Sequence, residues 1–482
     1  MSVSTTAYET VIGLECHAQL LTRTKLFCGC RTSFGEPPNT NVCPVCLGLP
    51  GALPVLNRRA VALAARMALA VGCRVNATSV FARKNYFYPD LPKGYQISQY
   101  DRPLAERGEV ALEDGRRKIG IERIHMEEDA GKLLHEGFAD ASSKSAVDYN
   151  RSGVPLIEIV SEPELSSPEE AVSYAEALRE ILQYTGVSDA DMAKGNFRFD
   201  GNLSIRPRGA TDLGTKVEIK NLNSFRFLGR ALAYEVERQI AVVEKGGRVV
   251  QETRLFDPDE NRTAPMRSKE EAHDYRYFPD PDLPPLKLTS SYIEEIETAL
   301  PELPASKRAR FASEYGLSAY DAGVLTSSRA LADYFEAVAQ KSENPKAASN
   351  WVMSEVLRKL KESSASLDTF PIGGDTLGEL IRLVDRGTVS GKIAKEVFEK
   401  MYLSSETAKT IVEREGLTQI SDPNAIDEMV RAVIDSHPAQ VAQYRNGEEK
   451  VLGFLVGQVM KASKGQANPQ LARERLMNAL SG

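Results

Sequence analysis

Polar and apolar residues alternate along several stretches of the N-terminal half of the chain. In residues 11–20, VIGLECHAQL, the even-numbered positions are apolar, and Glu15, His17 and Gln19 alternate with them. Because successive side chains of a strand point to opposite faces, this pattern predicts a strand with one buried face. A carboxylate and an imidazole two residues apart on one face can reach the same cation. The alternative is a half-buried strand whose polar face only meets water.

The same alternation returns in residues 197–206, with apolar residues and glycine on one face. The opposite face carries Arg198, Asp200, Asn202, Ser204 and Arg206. After a turn-rich connection, Lys216, Glu218 and Lys220 continue the pattern, which predicts a hairpin with one apolar and one charged face. Carboxylates placed among so many cations suit phosphate and metal binding. The alternative is a solvated face with cross-strand ion pairs.

Two further stretches place carboxylates close to apolar strand positions. Glu127 and Glu128 begin an acidic run, and strand geometry directs them to opposite faces. Glu158 interrupts an apolar run, where a charge is costly unless it is paired, bound to a metal or facing a polar cavity. Asn150 and Arg151 precede that run and could donate to a phosphate or a carboxylate. Mg²⁺ prefers oxygen ligands of this kind, although an acidic run is usually a solvated loop.

All six cysteines lie within the first 73 residues, and four of them form two close pairs. These are Cys28, Cys30, Cys43 and Cys46, with twelve residues between the pairs. Two such pairs joined by a loop suit a tetrahedral Zn²⁺–thiolate site. A zinc ion there would stabilise the fold, because four ligands leave no open position for chemistry. The alternatives are four reduced thiols or a redox pair.

Two stretches have a composition typical of nucleic-acid contacts. Residues 83–100 interleave cations with aromatic side chains, a mixture that binds phosphates and stacks bases, or else packs as a tyrosine-rich loop. Residues 441–482 contain six Lys or Arg and three Asp or Glu, and Lys461 and Lys464 lie near a turn. This local positive excess suits contact with an RNA backbone, although the turn also fits a boundary between two helices.

Composition narrows the class of protein. The 482-residue chain is 42% hydrophobic and 26% charged, as is usual for soluble globular proteins, and its net charge of −7 provides no overall attraction to nucleic acid. No apolar run approaches the roughly 20 residues of a membrane span. The N-terminus lacks the regions of a signal peptide, so a cytoplasmic location is expected. A GxxxxGK(S/T) loop is absent from the sequence, which disfavours a P-loop nucleotidase.

The spacing of apolar residues changes at about residue 291, from strand-like alternation to helical periodicity. Before this point, many hairpins with few helices indicate an α+β fold with a largely antiparallel sheet. Residues 57–71 are expected to form one of these few helices, with Asn57 as its N-cap. We expect three domains, namely an α+β domain over 1–294, an all-α domain over 295–410 and a small helical tail over 411–482.

Eight long motifs follow one another along the chain. They are VIGLECHAQL, RKNYFYPDLPKGYQISQYD, HMEEDAGK, VDYNRSGVPLIEIVSEPE, TKVEIKNLNSF, DYRYFPDPDLPPL, SNWVMSEV and GFLVGQVMKASKGQANPQL. Through these motifs the chain resembles the GatB family, the B subunits of the tRNA-dependent amidotransferase, over essentially its whole length. So many long motifs in one order are specific, whereas any single one would be weak.

The resemblance implies a ligase component that corrects mischarged Glu-tRNA(Gln) or Asp-tRNA(Asn). Such proteins use ATP to phosphorylate the side-chain carboxylate of the attached amino acid, and ammonia then displaces the phosphate to give the amide. A separate amidase, the A subunit of the complex, releases the ammonia from glutamine, and a small C subunit completes a heterotrimer. The α+β domain would be a catalytic cradle and the tail would contact tRNA. The alternative function is a tRNA-holding protein whose partner carries the chemistry.

The resemblance also implies candidate site residues. It implies a Mg²⁺ site built from Glu15, His17 and Glu128, with Glu127 and Glu158 as additional or outer ligands. From the residues themselves we select candidate contacts to phosphate and carboxylate, namely Arg151, Arg198 and Lys216 in catalysis and Asn150, Arg206 and Lys220 in nucleotide binding. The four cysteines match the part of the family that carries a structural zinc.

Overall fold

The computed structural model describes residues 7–112, 117–266, 275–363, 365–420, 422–463 and 465–481. The chain forms two compact units, which divide between Leu303 and Pro304. The first unit combines a large sheet with helices and the second is helical, which confirms the predicted α+β class with a helical C-terminal part. The three-domain division, with boundaries at 294/295 and 410/411, stays a prediction.

The described part of the first unit contains one large sheet, three small ones and four α-helices. Its strands are β1 (Tyr8–Gln19), β2 (Arg74–Val75), β3 (Thr78–Ser79), β4 (Ala82–Asn85), β5 (Tyr95–Ser98), β6 (Ala105–Ala111), β7 (Lys118–Glu128), β8 (Lys132–Leu134), β9 (Ala146–Asp148), β10 (Pro155–Ser161), β11 (Phe197–Pro207), β12 (Val217–Leu222), β13 (Glu252–Asp257), β14 (Arg262–Pro265), β15 (Phe278–Pro279) and β16 (Leu286–Lys287). Its helices are α1 (Arg58–Ala70), α2 (Pro168–Tyr184), α3 (Phe225–Glu244) and α4 (Ser290–Thr298).

Strand β1 lies at the centre of the large sheet. Among the described strands the order is β14-β13-β12-β11-β1-β10-β7-β6-β2. Strands β10 and β11 both pair with β1 in antiparallel fashion, and β11 and β12 form the predicted hairpin. Within the described sheet only β12 and β13 run parallel, and α3 connects them. The sheet is therefore largely antiparallel, as the sequence predicts.

One face of this sheet forms the core of the first unit. The even-numbered residues Ile12, Leu14 and Cys16 of β1 are at most 1% exposed there, in one apolar cluster with residues of α1, α2 and α3. Helix α1 begins after Asn57, whose side-chain oxygen accepts hydrogen bonds from two backbone N–H groups of the first turn, which confirms the predicted cap. Because the helices cover the apolar face, the polar face remains to form a site.

The described elements of the second unit are helices, apart from one β-bridge between Ile420 and Ala467. Its helices are α5 (Pro304–Glu314), α6 (Ala319–Leu325), α7 (Arg329–Ser342), α8 (Pro345–Trp351), α9 (Leu357–Ser363), α10 (Gly374–Asp385), α11 (Gly391–Ser404), α12 (Ala408–Glu415), α13 (Pro423–Ser436), α14 (Pro438–Arg445), α15 (Val451–Ala462) and α16 (Pro469–Ser481), with a π-helical turn at Val352–Val356. Two apolar clusters organise this unit, one in α5–α12 and one in α13–α16. In the described part of the chain, no helix combines the length and apolarity needed to cross a membrane.

The basic residues 441–482 that the sequence links to RNA belong, in their described part, to the helices that form the second of these clusters. Lys461 lies in the last turn of α15, and Lys464 lies outside the described residues. The turn that follows α15 is tied to the chain before α13, because the N–H of Ile420 donates to Gln466 O and the N–H of Asn468 donates to Ile420 O. Contact with RNA at this turn stays a prediction.

Candidate metal and phosphate site

The polar face of the large sheet collects ionisable side chains from five adjacent strands, β12, β11, β1, β10 and β7. His17 of β1 lies opposite Glu158 of β10 on one side and Arg198 of β11 on the other. Glu158 in turn lies opposite His125 of β7. The alternation that buries apolar side chains on one face thus gathers acids, histidines and cations on the other.

His17, Glu127 and Glu158 form a compact group on this face. Each offers one ligand atom, and the three atoms lie within 4.8 Å of one another. His17 Nε2 is 3.3 Å from Glu158 Oε2. Glu127 is held from both sides, since the Ser98 hydroxyl donates to its Oε1 at 2.6 Å and Gln96 Nε2 donates to its Oε2 at 3.0 Å. Two carboxylates and an imidazole held this close fit a divalent cation.

His125, which sequence reasoning did not assign, connects the two carboxylates of this group. Its Nε2 lies 3.1 Å from Glu127 Oε1 and 3.3 Å from Glu158 Oε2, and its buried Nδ1 has no hydrogen-bond partner among the described residues. Burial disfavours the imidazolium, but the charges of Glu158 and Glu127 outweigh burial and raise the pKa of His125 to about 9. Burial would raise the pKa of Glu158, but His125 and His17 lower it well below its usual range. Glu158 is therefore a carboxylate, the form that binds a metal.

A second group of three carboxylates lies next to the first along β1. Oxygens of Glu15, Asp200 and Glu218 lie within 4.8 Å of one another. Lys220 Nζ is 3.3 Å from Glu218 and 4.0 Å from Asp200. Burial and the nearby Glu158 raise the pKa of Glu15, and burial raises the pKa of Asp200. The ammonium group of Lys220 does not fully offset the negative charge of these three carboxylates, so binding of a cation beside them is favourable.

Lys216 lies beside this second group. It lines a cavity of about 320 Å³ together with Glu15, Asn202 and Arg123. Asn202 Nδ2 donates to Glu15 Oε1 at 3.0 Å, which orients that carboxylate. Of the predicted residues, Lys216 therefore shares this cavity with Glu15, whereas Lys220 contacts Asp200 and Glu218.

Glu128 lies on the other side of β7. Its carboxylate accepts a hydrogen bond from the Ile97 N–H at 2.9 Å and pairs with Lys93. Because side chains alternate along a strand, Glu127 faces His17 and Glu128 does not. The structure therefore does not bring Glu128 together with Glu15 and His17. Among the described residues, His17 lies with Glu127 and Glu158, whereas Glu15 lies with Asp200 and Glu218. Metal binding by Glu128 stays a prediction.

Two predicted arginines converge on one buried acid, Asp129. Arg198 Nη2 donates to Asp129 Oδ1 at 3.1 Å, and Arg151 Nε lies 3.7 Å from Oδ2. Gln19 Nε2 also donates to Oδ2, at 2.6 Å. Burial would raise the pKa of Asp129, but the charges of Arg198 and Arg151 lower it. Asp129 thus fixes Arg198 next to His17, where a guanidinium can contact a phosphate or carboxylate.

The groups formed by His17, Glu127 and Glu158 and by Glu15, Asp200 and Glu218 are called the two acid groups. The structure places Arg206 and Asn150 away from both. Arg206 shares the polar face but lies eight residues from Arg198, about 26 Å along an extended strand, and its Nε donates to Glu9 at 3.1 Å. Asn150 donates through Nδ2 to Pro37 O at 2.7 Å, so it serves the loop between the cysteine pairs. Nucleotide contacts by Arg206 and Asn150 stay predictions, and the structure does not bring either residue together with the two acid groups.

Lys84 is a second functional candidate that sequence reasoning did not assign. Its Nζ lies 5.0 Å from the ring centroid of Tyr275 and 6.0 Å from that of Tyr86. Burial would lower the pKa of Lys84, but the negative charge of Glu127 contributes to raising it. The interleaved cations and aromatics of residues 83–100 were the available signal, but composition does not show which cation faces the acids.

The four predicted cysteines lie together. Sulfur atoms of Cys28, Cys30, Cys43 and Cys46 lie within 4.8 Å of one another. The Cys43 N–H donates to Cys46 Sγ at 3.1 Å, and Lys25 Nζ lies 3.5 Å from the same sulfur. Hydrogen bonding from Cys28 and the charge of Lys25 lower the pKa of Cys46 to about 4. The group is therefore compatible with a metal such as zinc.

We expect the purified, reduced protein to contain about one zinc ion per chain, and Cys46→Ser to lose it. Removing the metal should lower the temperature of unfolding of the first unit, because the thiolates would no longer cross-link the loop. Metal analysis and thermal unfolding with and without a chelator check both expectations. Cys73→Ala, which changes a buried thiol outside the group, should keep the zinc. Reduced protein without bound metal would contradict the site.

The chain matches two family models. A family model described as the GatB/GatE catalytic domain matches residues 10–294, and one described as the GatB domain matches residues 333–480. The first match covers both acid groups and the four cysteines. The sheet-containing part of the chain thus matches the family model over almost its whole length.

Full-length relatives carry the comparison further. The B subunit of the aspartyl/glutamyl-tRNA(Asn/Gln) amidotransferase of Thermoanaerobacter sp. (strain X514) is 56% identical over 476 residues, which cover 98% of this chain and 99% of the relative. The proteins of the same name from Geotalea uraniireducens (strain Rf4) and Persephonella marina (strain DSM 14350 / EX-H1) are both 54% identical, over 98% of this chain and 100% and 99% of their own lengths. The chain belongs to the GatB family of amidotransferase B subunits.

Proposed function

We propose that the chain is the component of a glutamine-hydrolysing aminoacyl-tRNA amidotransferase on which ATP-dependent amidation takes place. Its substrates are mischarged Glu-tRNA(Gln), Asp-tRNA(Asn) or both, in line with the names of its relatives. Its partners are an amidase (the A subunit), which supplies ammonia, and a small C subunit. The observation that carries this proposal is the group of His17, Glu127 and Glu158 at the centre of a polar sheet face lined with cations.

The reaction has two steps, because a carboxylate has no good leaving group. A side-chain carboxylate oxygen attacks the γ-phosphorus of ATP, the bond from that phosphorus to the bridging oxygen breaks, and ADP leaves. Ammonia then attacks the carbon of the acyl phosphate, the carbon–oxygen bond breaks, and phosphate leaves as the nitrogen loses a proton. Negative charge must be held close together in the first step, so the site needs cations around the phosphoryl group.

The residues of the polar face match this requirement. His17, Glu127 and Glu158 would hold Mg²⁺, which offsets the charge of the phosphates when bound. Arg198, fixed by Asp129, supplies a guanidinium beside that group, which suits two-pronged contact with a carboxylate or phosphate.

The second acid group suits the nucleotide. Glu15, Asp200 and Glu218 lie beside Lys216 and Lys220, so negative charge for a cation and positive charge for phosphates are available within one part of the face. Burial and neighbouring acids raise the pKa of Glu15, and a bound cation would relieve this crowding of charge. We therefore place ATP along β1, between the two acid groups.

Free ammonia provides the test of the proposed function. In the complex with its glutaminase inactivated, ammonium and ATP should still support amidation of the mischarged tRNA, and His17→Ala should lower that rate about a hundredfold with tRNA binding retained. If the chain only holds tRNA and its partner carries the chemistry, His17→Ala leaves the ammonium-dependent rate unchanged. Single-turnover amidation and a tRNA binding assay on the same preparations separate the two functions.

A further inference from the structure

The loop that joins the two cysteine pairs is fastened to residues 147–150. The backbone N–H of Asn39 donates to Asp148 Oδ1 at 3.0 Å. The Asn39 side chain donates through Nδ2 to Val147 O at 3.0 Å and accepts through Oδ1 from the Tyr149 N–H at 2.8 Å. Asn39 has a φ of 61°, a left-handed conformation that asparagine adopts more readily than most residues. Backbone and side chain of this one residue thus both serve the link.

Asn150 makes the same link from the opposite side. Its Nδ2 donates to Pro37 O at 2.7 Å, and its Oδ1 accepts from the Asn41 N–H at 2.8 Å. All donors and acceptors of the Asn150 amide group that the structure describes thus point to the loop and none to the acid groups. The loop and the segment are joined by a pair of reciprocal asparagine contacts.

A buried lysine adds a contact from the cysteine group itself. Lys25 is 0% exposed, and its Nζ lies 3.5 Å from Cys46 Sγ and 3.1 Å from Tyr149 O. The Ser152 hydroxyl donates to Cys46 O at 3.3 Å. An ammonium group placed between a thiolate and a carbonyl couples the position of residue 149 to that of the thiolate.

The residues that follow reach the polar face. Arg151 donates to Ala130 O at 3.0 Å and to Gly131 O at 2.7 Å, and it lies 3.7 Å from Asp129. Asp129 holds Arg198 at 3.1 Å. A continuous path of polar contacts therefore runs from the four-cysteine loop, through residues 149–151 and Asp129, to the arginine of β11.

We propose that Asn39 and Asn150 are positioning residues for the arginines on the polar face of the large sheet. They hold the segment that orients Arg151 and, through Asp129, Arg198. The inference rests on the amidation proposed above. It gives the four-cysteine loop a part in the reaction beyond cross-linking the fold, because a loop acting only as a cross-link needs the thiolates and not these amide contacts.

Asn39→Gly in the full chain, assembled with its partner proteins, tests this role. Glycine keeps the left-handed backbone without strain and removes the side chain. The matched control is Asn41→Gly. Within the described ranges the Asn41 side chain donates only to Ser33, at 3.5 Å, and the substitution keeps the backbone N–H that donates to Asn150. Asn39→Gly should lower the kcat of amidation about three- to thirtyfold, with zinc content and tRNA Kd unchanged. Asn41→Gly should leave kcat, zinc content and tRNA Kd unchanged.

Deuterium uptake of the peptide covering 147–154 gives a readout that does not depend on activity. This peptide contains the N–H of Gly153, which donates to Asp129 O at 2.8 Å. Uptake should be faster in Asn39→Gly than in the unaltered protein and in Asn41→Gly. Unchanged uptake, faster uptake with an unchanged kcat, or loss of zinc in Asn39→Gly would each overturn the inference. If the unaltered complex does not amidate, the proposed function fails, whereas faster uptake confined to Asn39→Gly still supports the link.

Discussion

Glu158→Gln is expected to lower ATP-dependent amidation by about a hundred- to a thousandfold, with tRNA binding within about twofold of the unaltered protein. Glu158 lies between two imidazoles, since its Oε2 is 3.3 Å from Nε2 of both His17 and His125. Glutamine keeps the shape of the side chain but removes the charge. A bound metal would therefore lose one of its two carboxylate ligands, and the pKa values of His17 and His125 would lose the main cause that raises them. Single-turnover amidation with ammonium measures the effect.

A metal-binding measurement and a matched acid complete this test. Mn²⁺ can report on a magnesium site through its paramagnetism, and Glu158→Gln should weaken its binding in parallel with the loss of rate. Glu109→Gln is the control, because Glu109 forms an exposed ion pair with Lys118 on the neighbouring strands, a type of pair that contributes little. Full activity in Glu158→Gln would refute the assignment of this group as the reaction centre.

Asp129→Asn is expected to lower the free energy of unfolding of the first unit by about 3 kcal/mol at neutral pH. Asp129 is 3% exposed and is the common partner of Arg198 and Arg151. The amide keeps the size of the side chain but removes the carboxylate charge that both guanidinium groups contact. Trp351, the only tryptophan, lies in the second unit, so its fluorescence does not report on the first unit. Near-ultraviolet circular dichroism of the tyrosines should therefore be used to follow unfolding in urea.

The pH dependence of this variant has a defined sign. Burial would raise the pKa of Asp129, but Arg198 and Arg151 lower it in the folded state. Its stabilising charge is therefore fully present above the unfolded pKa of about 3.9 and is lost as pH falls through the lower folded pKa. The difference between Asp129→Asn and the unaltered protein should be constant from about pH 6 to 8 and narrow below about pH 4. A difference that persists unchanged in acid would contradict this account.

The alternation of side chains predicted much of the sheet. It predicted β1 and the β11–β12 hairpin, and it separated Glu127 from Glu128 onto opposite faces, which the register confirms. The choice of Glu128 as a ligand came from the resemblance and set that alternation aside. Strand periodicity applied consistently along β7 would have selected Glu127 together with His125.

Other parts of the site depend on the order of strands, which periodicity does not contain. His17 meets Glu158 because β10 lies beside β1, although the two residues are 141 positions apart in the sequence. Arg206 lies on the polar face, as the alternation predicts, but it is at the far end of the 11-residue strand β11 and therefore distant from Arg198. Asn150 has donors suited to phosphate, but its partners lie in a loop more than 100 residues earlier. Long-range pairing, and not local propensity, decides these positions.

The central place of the first strand sets the order in which the site can be completed during synthesis. Strand β1 ends at Gln19, but its partners β10 and β11 end at Ser161 and Pro207. This strand leaves the ribosome before both partners, and roughly 190 further residues must be synthesised before both of its edges are paired, as is usual in folds with many long-range contacts. A nascent chain arrested before Pro207 therefore leaves one edge of β1 unpaired next to its apolar face. We expect chaperones to bind such fragments.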